Sequence, residues 1–198
     1  MRSKRKYTII LDEAHGIDVA GKRSADGSFL EWQWSREQLR LIEKSLLDLG
    51  FAVTTSNNRA DHEIGLNRRV ANMNAVKGPA IVLSYHANAC TMTGEGGKAT
   101  GTVAYTTRGV TRSDAMADIF LAKVRQYFPD RRILKDLSDG DGDFESNFTV
   151  LTSKWPSVLL EIGFMDNEDD LKLLKSEDWN KVMRAAIVDA IVQIDNEL

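Results

Sequence analysis

The chain has 198 residues, 42% of them apolar and 28% charged, with fourteen glycines, three prolines and one cysteine. These proportions exclude collagen-like, low-complexity and disulfide-scaffold chains, and the length suits one domain that can bury a sizeable core. Against 29 acidic side chains stand 26 basic ones, a net charge of −3 without the basic excess that accompanies nucleic-acid binding.

The basic start, Arg2 to Lys6, precedes a short apolar run, Thr8 to Leu11, that ends in Asp12 and Glu13. A secretion signal needs roughly 7–15 apolar residues there, and no stretch approaches the roughly 20 of a membrane span. The expectation is a chain with no export address and no membrane span, made in the cytoplasm. Cys90 stands alone and cannot form an internal disulfide.

Tyr7–Leu11 reads as a buried strand. A polar stretch with Gly16, Gly21 and Gly27 follows, long enough to be a candidate functional loop. Ser35-Arg-Glu-Gln38 has the spacing of a capping box and predicts a helix start. Leu39, Ile42, Leu46 and Leu49 continue it at helical spacing, and Gly50 ends it. Phe51–Thr54 reads as a second strand and Glu63–Val76 as a second helix. After the Gly78-Pro79 break, Ala80–Ser84 has the continuous apolar character of a strand covered on both faces. Thr102–Thr106 is a further strand. Ser113–Phe128 is a helix with Met116, Phe120, Val124 and Tyr127 on one face, stopped by Pro129. Pro156–Leu160 reads as another buried strand. From about Ser176, Trp179, Met183, Ala186, Ala190 and Ile194 mark a terminal helix. The alternation predicts one α/β domain over residues 1–198, a largely parallel twisted sheet with helices on both faces.

His15, His86 and Glu161 each fall just past an apolar run. Carboxyl ends of parallel strands line the ligand crevice of such sheets, so the three side chains are expected on one rim. A fourth residue, Glu31, closes the glycine-containing loop that His15 begins. Two imidazoles and a carboxylate suit zinc, whose catalytic sites commonly keep a fourth position for water. The remaining carboxylate is then free to move protons.

Ile10-Leu-Asp-Glu-Ala-His-Gly16, Ser84-Tyr-His-Ala-Asn-Ala89 and Leu159-Leu-Glu-Ile-Gly-Phe-Met-Asp-Asn167 resemble, in order and spacing, the three signature blocks of the zinc-dependent N-acetylmuramoyl-L-alanine amidases. Arg59-x-Asp61, Leu66-x-x-Arg69 and Asn74 resemble the family's intermediate pattern. Gly101-Thr-Val-Ala-Tyr105 is similar to its central strand and Phe148-Thr-Val-Leu151 to the segment before the last block. The resemblance covers essentially the whole chain. It implies metal ligands at His15, Glu31 and His86, with Zn2+ as cofactor, and a catalytic glutamate at Glu161. It further implies hydrolysis of the amide between N-acetylmuramic acid and L-alanine in peptidoglycan, with a zinc-bound water as nucleophile and Glu161 as general base and acid.

The first block departs from the family's Asp-Pro-Gly-His-Gly-Gly, with Glu13, Ala14 and Ile17 in place of proline and two glycines. Glu31 has no local motif of its own, and Glu37, Glu13 and Asp26 are the alternative carboxylates. Asp12 and Asn88 are candidates to orient the histidines. Rival readings are a non-catalytic peptidoglycan-binding module on the same fold, or another zinc peptidase such as a carboxypeptidase. A monomer is expected, acting at the cell wall after release, either as a phage-type lysis enzyme or as a catalytic domain without its leader.

Asp139-Gly-Asp-Gly-Asp143 places acids at positions 1, 3 and 5 of a calcium loop, but Phe144 and Val150 stand where an EF-hand needs glycine and glutamate. It reads as a flexible polar loop. Gly94-Glu-Gly-Gly-Lys98 lacks a phosphate loop's first glycine, with Met92 there, and its hydroxyl residue, with Ala99 there. His62 reads as solvated, Trp32 and Trp34 as packing against the sheet, Trp155 and Trp179 as core or rim, and Cys90 as a small buried residue.

Overall fold

Six strands form one sheet: β1 (Thr8–Glu13), β2 (Ala52–Thr55), β3 (Ala80–Asn88), β4 (Val103–Thr106), β5 (Phe144–Glu145) and β6 (Ser157–Phe164). The computed structural model describes residues 5–90, 96–138 and 140–198. The strand order is β2-β1-β3-β6-β4-β5. The first four of these are mutually parallel, and β4 runs antiparallel to β6. Five helices join them: α1 (Glu31–Asp48), α2 (Leu66–Ala75), α3 (Arg112–Tyr127), α4 (Glu168–Lys175) and α5 (Glu177–Glu197). The single α/β domain expected from the alternation of elements is the one observed.

Alternation along the strands divides the apolar side chains between two cores. Ile9, Leu11, Ile81, Leu83, Val158 and Leu160 pack with Ile42 of α1, Phe120 of α3 and Ile187 of α5. The opposite face carries Ile10, Val82 and Leu159 against Met73 of α2 and Val150 and Leu151 of a short 3-10 turn, Thr149–Thr152. Each fully buried side chain of this size contributes about 1.5–3 kcal/mol relative to exposure. Coverage on both faces explains why β3 reads as a continuous apolar run.

Several boundaries differ from the sequence reading. Ser35-Arg-Glu-Gln38 is not a helix start: α1 begins a turn earlier at Glu31, and Ser35 is buried inside it. Ser35 Oγ accepts from Ala14 N at 3.0 Å and donates to Tyr85 O at 2.6 Å, so its hydroxyl ties α1 to the ends of β1 and β3. α2 starts three residues later than the helix predicted from Glu63, after Gly65 at φ 87°. β3 and β6 run past their apolar cores, so His86 and Glu161 lie within strands, directly opposite each other in register. β5, the 3-10 turn and α4 were not anticipated. α4 is set by Asn167, whose side chain caps two amides, and by Asp170, buried against Arg131 at 2.5 Å.

Two other expectations are corrected. Cys90 is exposed, because the chain has left β3 and turns back, with its amide on Asp166 Oδ2 at 2.8 Å. The acidic stretch is packed rather than solvated where it is described: Asp143 is buried, accepting from Thr106 Oγ1 at 2.6 Å, with Asp141 and Asp114 beside it. Asp139 and Gly94 lie outside the described residues. His62 is solvated, as expected, and Trp34 is buried with its ring stacked on Tyr85 at 5.1 Å. Trp32 is half-buried beneath the Arg36 guanidinium.

Candidate metal centre and active site

The site lies where β1, β3 and β6 end, on the sheet face that carries α2. Its residues arrive from separate directions. His86 and Glu161 project from adjacent strands, and a one-residue irregularity just beyond them shifts the pairing from His86–Glu161 to Asn88–Phe164. Such bulges re-aim side chains at sheet ends. His15 sits in the turn after β1 with φ 50°, a left-handed conformation that a residue with a Cβ adopts only at a cost of about 1–3 kcal/mol. The turn is held by Arg69, which donates to His15 O at 3.1 Å and also to Glu13 O. The next residue must be glycine, because a Cβ on Gly16 would collide with the backbone of Glu63.

Glu31 is the first residue of α1, and its position follows from contacts on both sides. Its amide donates to Lys22 O at 3.1 Å, while its Oε1 accepts from Ala87 N at 3.3 Å. The carboxylate lies between the two imidazoles, with Oε1 2.9 Å from His86 Nδ1 and Oε2 3.3 Å from His15 Nε2. The rings themselves meet edge to face at 5.1 Å. One ligand atom from each of His15, Glu31 and His86 lies within 4.8 Å of the others. Nitrogen and oxygen donors in this number fit a divalent metal of the zinc type.

Charge in the site is strongly organised. Burial opposes ionisation of Glu31, but hydrogen bonds from His15 and His86 and their charge hold its carboxyl down at about 2. Burial also opposes the His86 cation, yet the Glu31 hydrogen bond and charge raise it above its usual value of 6.5. Glu161 behaves oppositely. Burial drives it up to about 8 against the pull of His86, with the Glu31 charge adding to the rise. Glu161 Oε2 is buried and has no hydrogen-bond partner. A buried acceptor left unpaired costs about 1–3 kcal/mol, so this atom marks where a water or substrate group belongs.

These groups line one cleft of ≈ 290 Å³. Leu66, Phe148, Val150, Leu159 and Met165 give it apolar walls, and Lys22 stands at its rim. Its polar groups converge on the end where the histidines meet. Two larger hollows, of ≈ 470 Å³ between Ser28 and Glu177 and ≈ 480 Å³ beside Phe128 and Trp179, hold no such cluster among the described residues.

All four site residues expected from the sequence are therefore brought together. The alternative carboxylates are not. Glu13 is taken by Asn57 at 2.7 Å, Glu37 by Gln33 at 3.0 Å, and Asp26 by Ser24 and Ser28. Asn88 reaches neither histidine; its side chain accepts from Ala89 N. The intermediate pattern serves the scaffold: Asp61 pairs with Arg36 at 2.7 Å, Arg59 pairs with Glu43, and Asn74 accepts from Lys154 N. Asp12, the other candidate to orient a histidine, reaches His86 through Ser84; Ser84 and Arg69 were missed as partners of the site, since only the β1–β3 register and a packed α2 bring them to Asp12.

Two imidazoles with a carboxylate between them form a group that could hold a metal ion, and a second buried carboxyl lines the same cleft on an α/β sheet. Residues 9–193 match the model of the N-acetylmuramoyl-L-alanine amidases, and the chain belongs to that family of enzymes. It is 27% identical over 186 residues to the probable cell wall amidase LytH of Staphylococcus aureus, covering 93% of this chain and 57% of that protein. The chain thus spans little more than half the length of this relative. Among solved structures, an N-acetylmuramoyl-L-alanine amidase from Clostridium difficile 630 superposes with a TM-score of 0.84 at 22% identity, covering 98% of this chain and 99% of that one. The amidase AmiC2 of Nostoc punctiforme gives a TM-score of 0.80 at 22% identity, covering 96% and 98%. These likenesses bear on the fold. No helix among the described residues is long and apolar enough to cross a membrane.

Proposed function

We propose that this chain hydrolyses the amide joining the lactyl group of N-acetylmuramic acid to L-alanine in peptidoglycan, using a zinc ion held by His15, Glu31 and His86. The observation that carries the reading is the meeting of these three ligand atoms beside the unpartnered Oε2 of Glu161. When bound, zinc supplies Lewis acidity, polarising a carbonyl and bringing the pKa of water toward ~7.

Glu161 performs the proton transfers. Its buried carboxylate takes a proton from the attacking water and passes it to the alanine nitrogen, without which an amine anion would have to leave. Burial holds Glu161 at about 8, so this carboxyl can hold a proton near neutral pH and give it up again, and a bound divalent ion would favour its ionised form. Leu66 and Phe148, both exposed at the cleft, offer apolar surface against which the lactyl and alanine methyl groups could pack. Lys22, exposed among the residues that line the cleft, offers a positive charge complementary to an acidic stem peptide.

The test is digestion of purified sacculi with the zinc-loaded protein, followed by mass spectrometry of the products. New amino termini on L-alanine, with lactyl-bearing glycan strands released, are the expected result. Release of terminal D-alanine alone would show a carboxypeptidase, and unaltered sacculi retaining bound protein would show a binding module.

A further inference from the structure

β1 and β3 pair so that Asp12 stands opposite Ser84, and the strand period places His86 two residues further along the same face. Ser84 Oγ donates to Asp12 Oδ2 at 2.5 Å, and lies 3.2 Å from His86 Nε2. Asp12 Oδ1 accepts from Arg69 Nη1 at 3.0 Å and from Ser56 Oγ. Asp12 and Ser84 are both 0% exposed.

The chain of hydrogen bonds has a direction. Every partner of the Asp12 carboxylate is a donor, so the single hydroxyl hydrogen of Ser84 is committed to Asp12. Ser84 Oγ then has only lone pairs to offer His86, and Nε2 must carry the hydrogen. That leaves Nδ1 as the ring nitrogen facing Glu31, 2.9 Å away. We propose that Asp12 and Ser84 are positioning residues that lock the tautomer and ring orientation of His86, presenting Nδ1 to the metal; this rests on the zinc reading above. Arg69 anchors the same chain from below, and links it to the His15 turn through its bond to His15 O. One buried guanidinium therefore holds the supports of both histidine ligands.

The decisive variant is Ser84→Ala, which removes one hydroxyl from a buried strand position and leaves the ligands in place. Two quantities are read against the parent chain. The first is zinc affinity by competition with a chromophoric chelator, expected to fall about 10–100-fold. The second is the His86 ring in the metal-free protein by long-range proton–nitrogen NMR. The parent should show a slowly exchanging Nε2–H, and the variant should lose that protection. Melting of the metal-free variant within a few degrees of the parent establishes that its fold is kept, and a packing defect alone would not alter ring exchange. A parent that binds zinc while Ser84→Ala binds it within twofold, or keeps the protected Nε2–H, overturns this inference alone. A parent that binds no zinc overturns both this inference and the function on which it rests.

Discussion

Glu31 and His86, 55 positions apart in the chain, meet at 2.9 Å between carboxylate and imidazole. The contact depends on α1 beginning at Glu31 itself, and on β3 continuing beyond its apolar run to carry His86. Ser35 fixes the spacing between those two elements by bonding to Ala14 and Tyr85 across 21 and 50 positions.

That bridge predicts an unusual mutational signature. At a helix cap, serine and aspartate are nearly equivalent. At this buried position Ser35→Asp would set a carboxylate against the Tyr85 carbonyl and destabilise the fold by more than about 2 kcal/mol. Ser35→Ala should cost about 1–3 kcal/mol, by leaving Ala14 N and Tyr85 O unpaired. Urea unfolding measures both; an aspartate variant as stable as the parent would restore the cap assignment.

The ion pair beneath the site makes a second prediction. Arg69 is 1% exposed and contacts Asp12, Glu63 and the carbonyls of Glu13 and His15. Arg69→Met removes one partner of a buried pair, and should lower the unfolding free energy by about 3–5 kcal/mol with weaker zinc binding. A urea midpoint unchanged from the parent would contradict the role given to this residue.

The pH dependence follows from the signs of the shifts. In the metal-free protein Glu161 is held up at about 8 and Asp143 at about 6, chiefly by burial. The unfolded chain releases these protons near 4.5 and 3.8, so stability falls as pH rises through that interval. His86 is also raised; its contribution is full below 6.5 and is lost as pH rises through its folded value. Glu31, held at about 2, contributes above 4.5 and loses that contribution only in strong acid. Chelator-treated protein should therefore melt at a lower temperature at pH 8.5 than at pH 5. Zinc should restore most at the upper end, where the ligands have shed their protons. A melting temperature that climbs with pH in the absence of metal would contradict these assignments.

Much of this was legible in the chain itself. The strands and the long helices declare themselves by apolar runs and helical spacing, and His86 and Glu161 stand out because ionisable residues interrupt those runs. Glu31 was reached through resemblance, since no local pattern separates it from Glu13, Asp26 or Glu37. What stayed hidden depends on three-dimensional pairing. Ser35-x-x-Gln38 has the right spacing for a cap, and only burial between two strands reveals its other use. Cys90 has the size of a core residue, but a strand end leaves it exposed. Asp143 looks like a solvated acid until α3 brings Asp114 beside it.

The central claim is that three residues hold the metal while a fourth moves protons. Zinc content and hydrolysis of a muramoyl-L-alanine amide should be measured side by side on the parent, Glu161→Ala and His86→Ala. The account predicts that Glu161→Ala binds one equivalent of zinc and loses at least about 100-fold in rate, while His86→Ala loses both metal and activity. A zinc-loaded Glu161→Ala protein that hydrolyses the amide at the parental rate would contradict it.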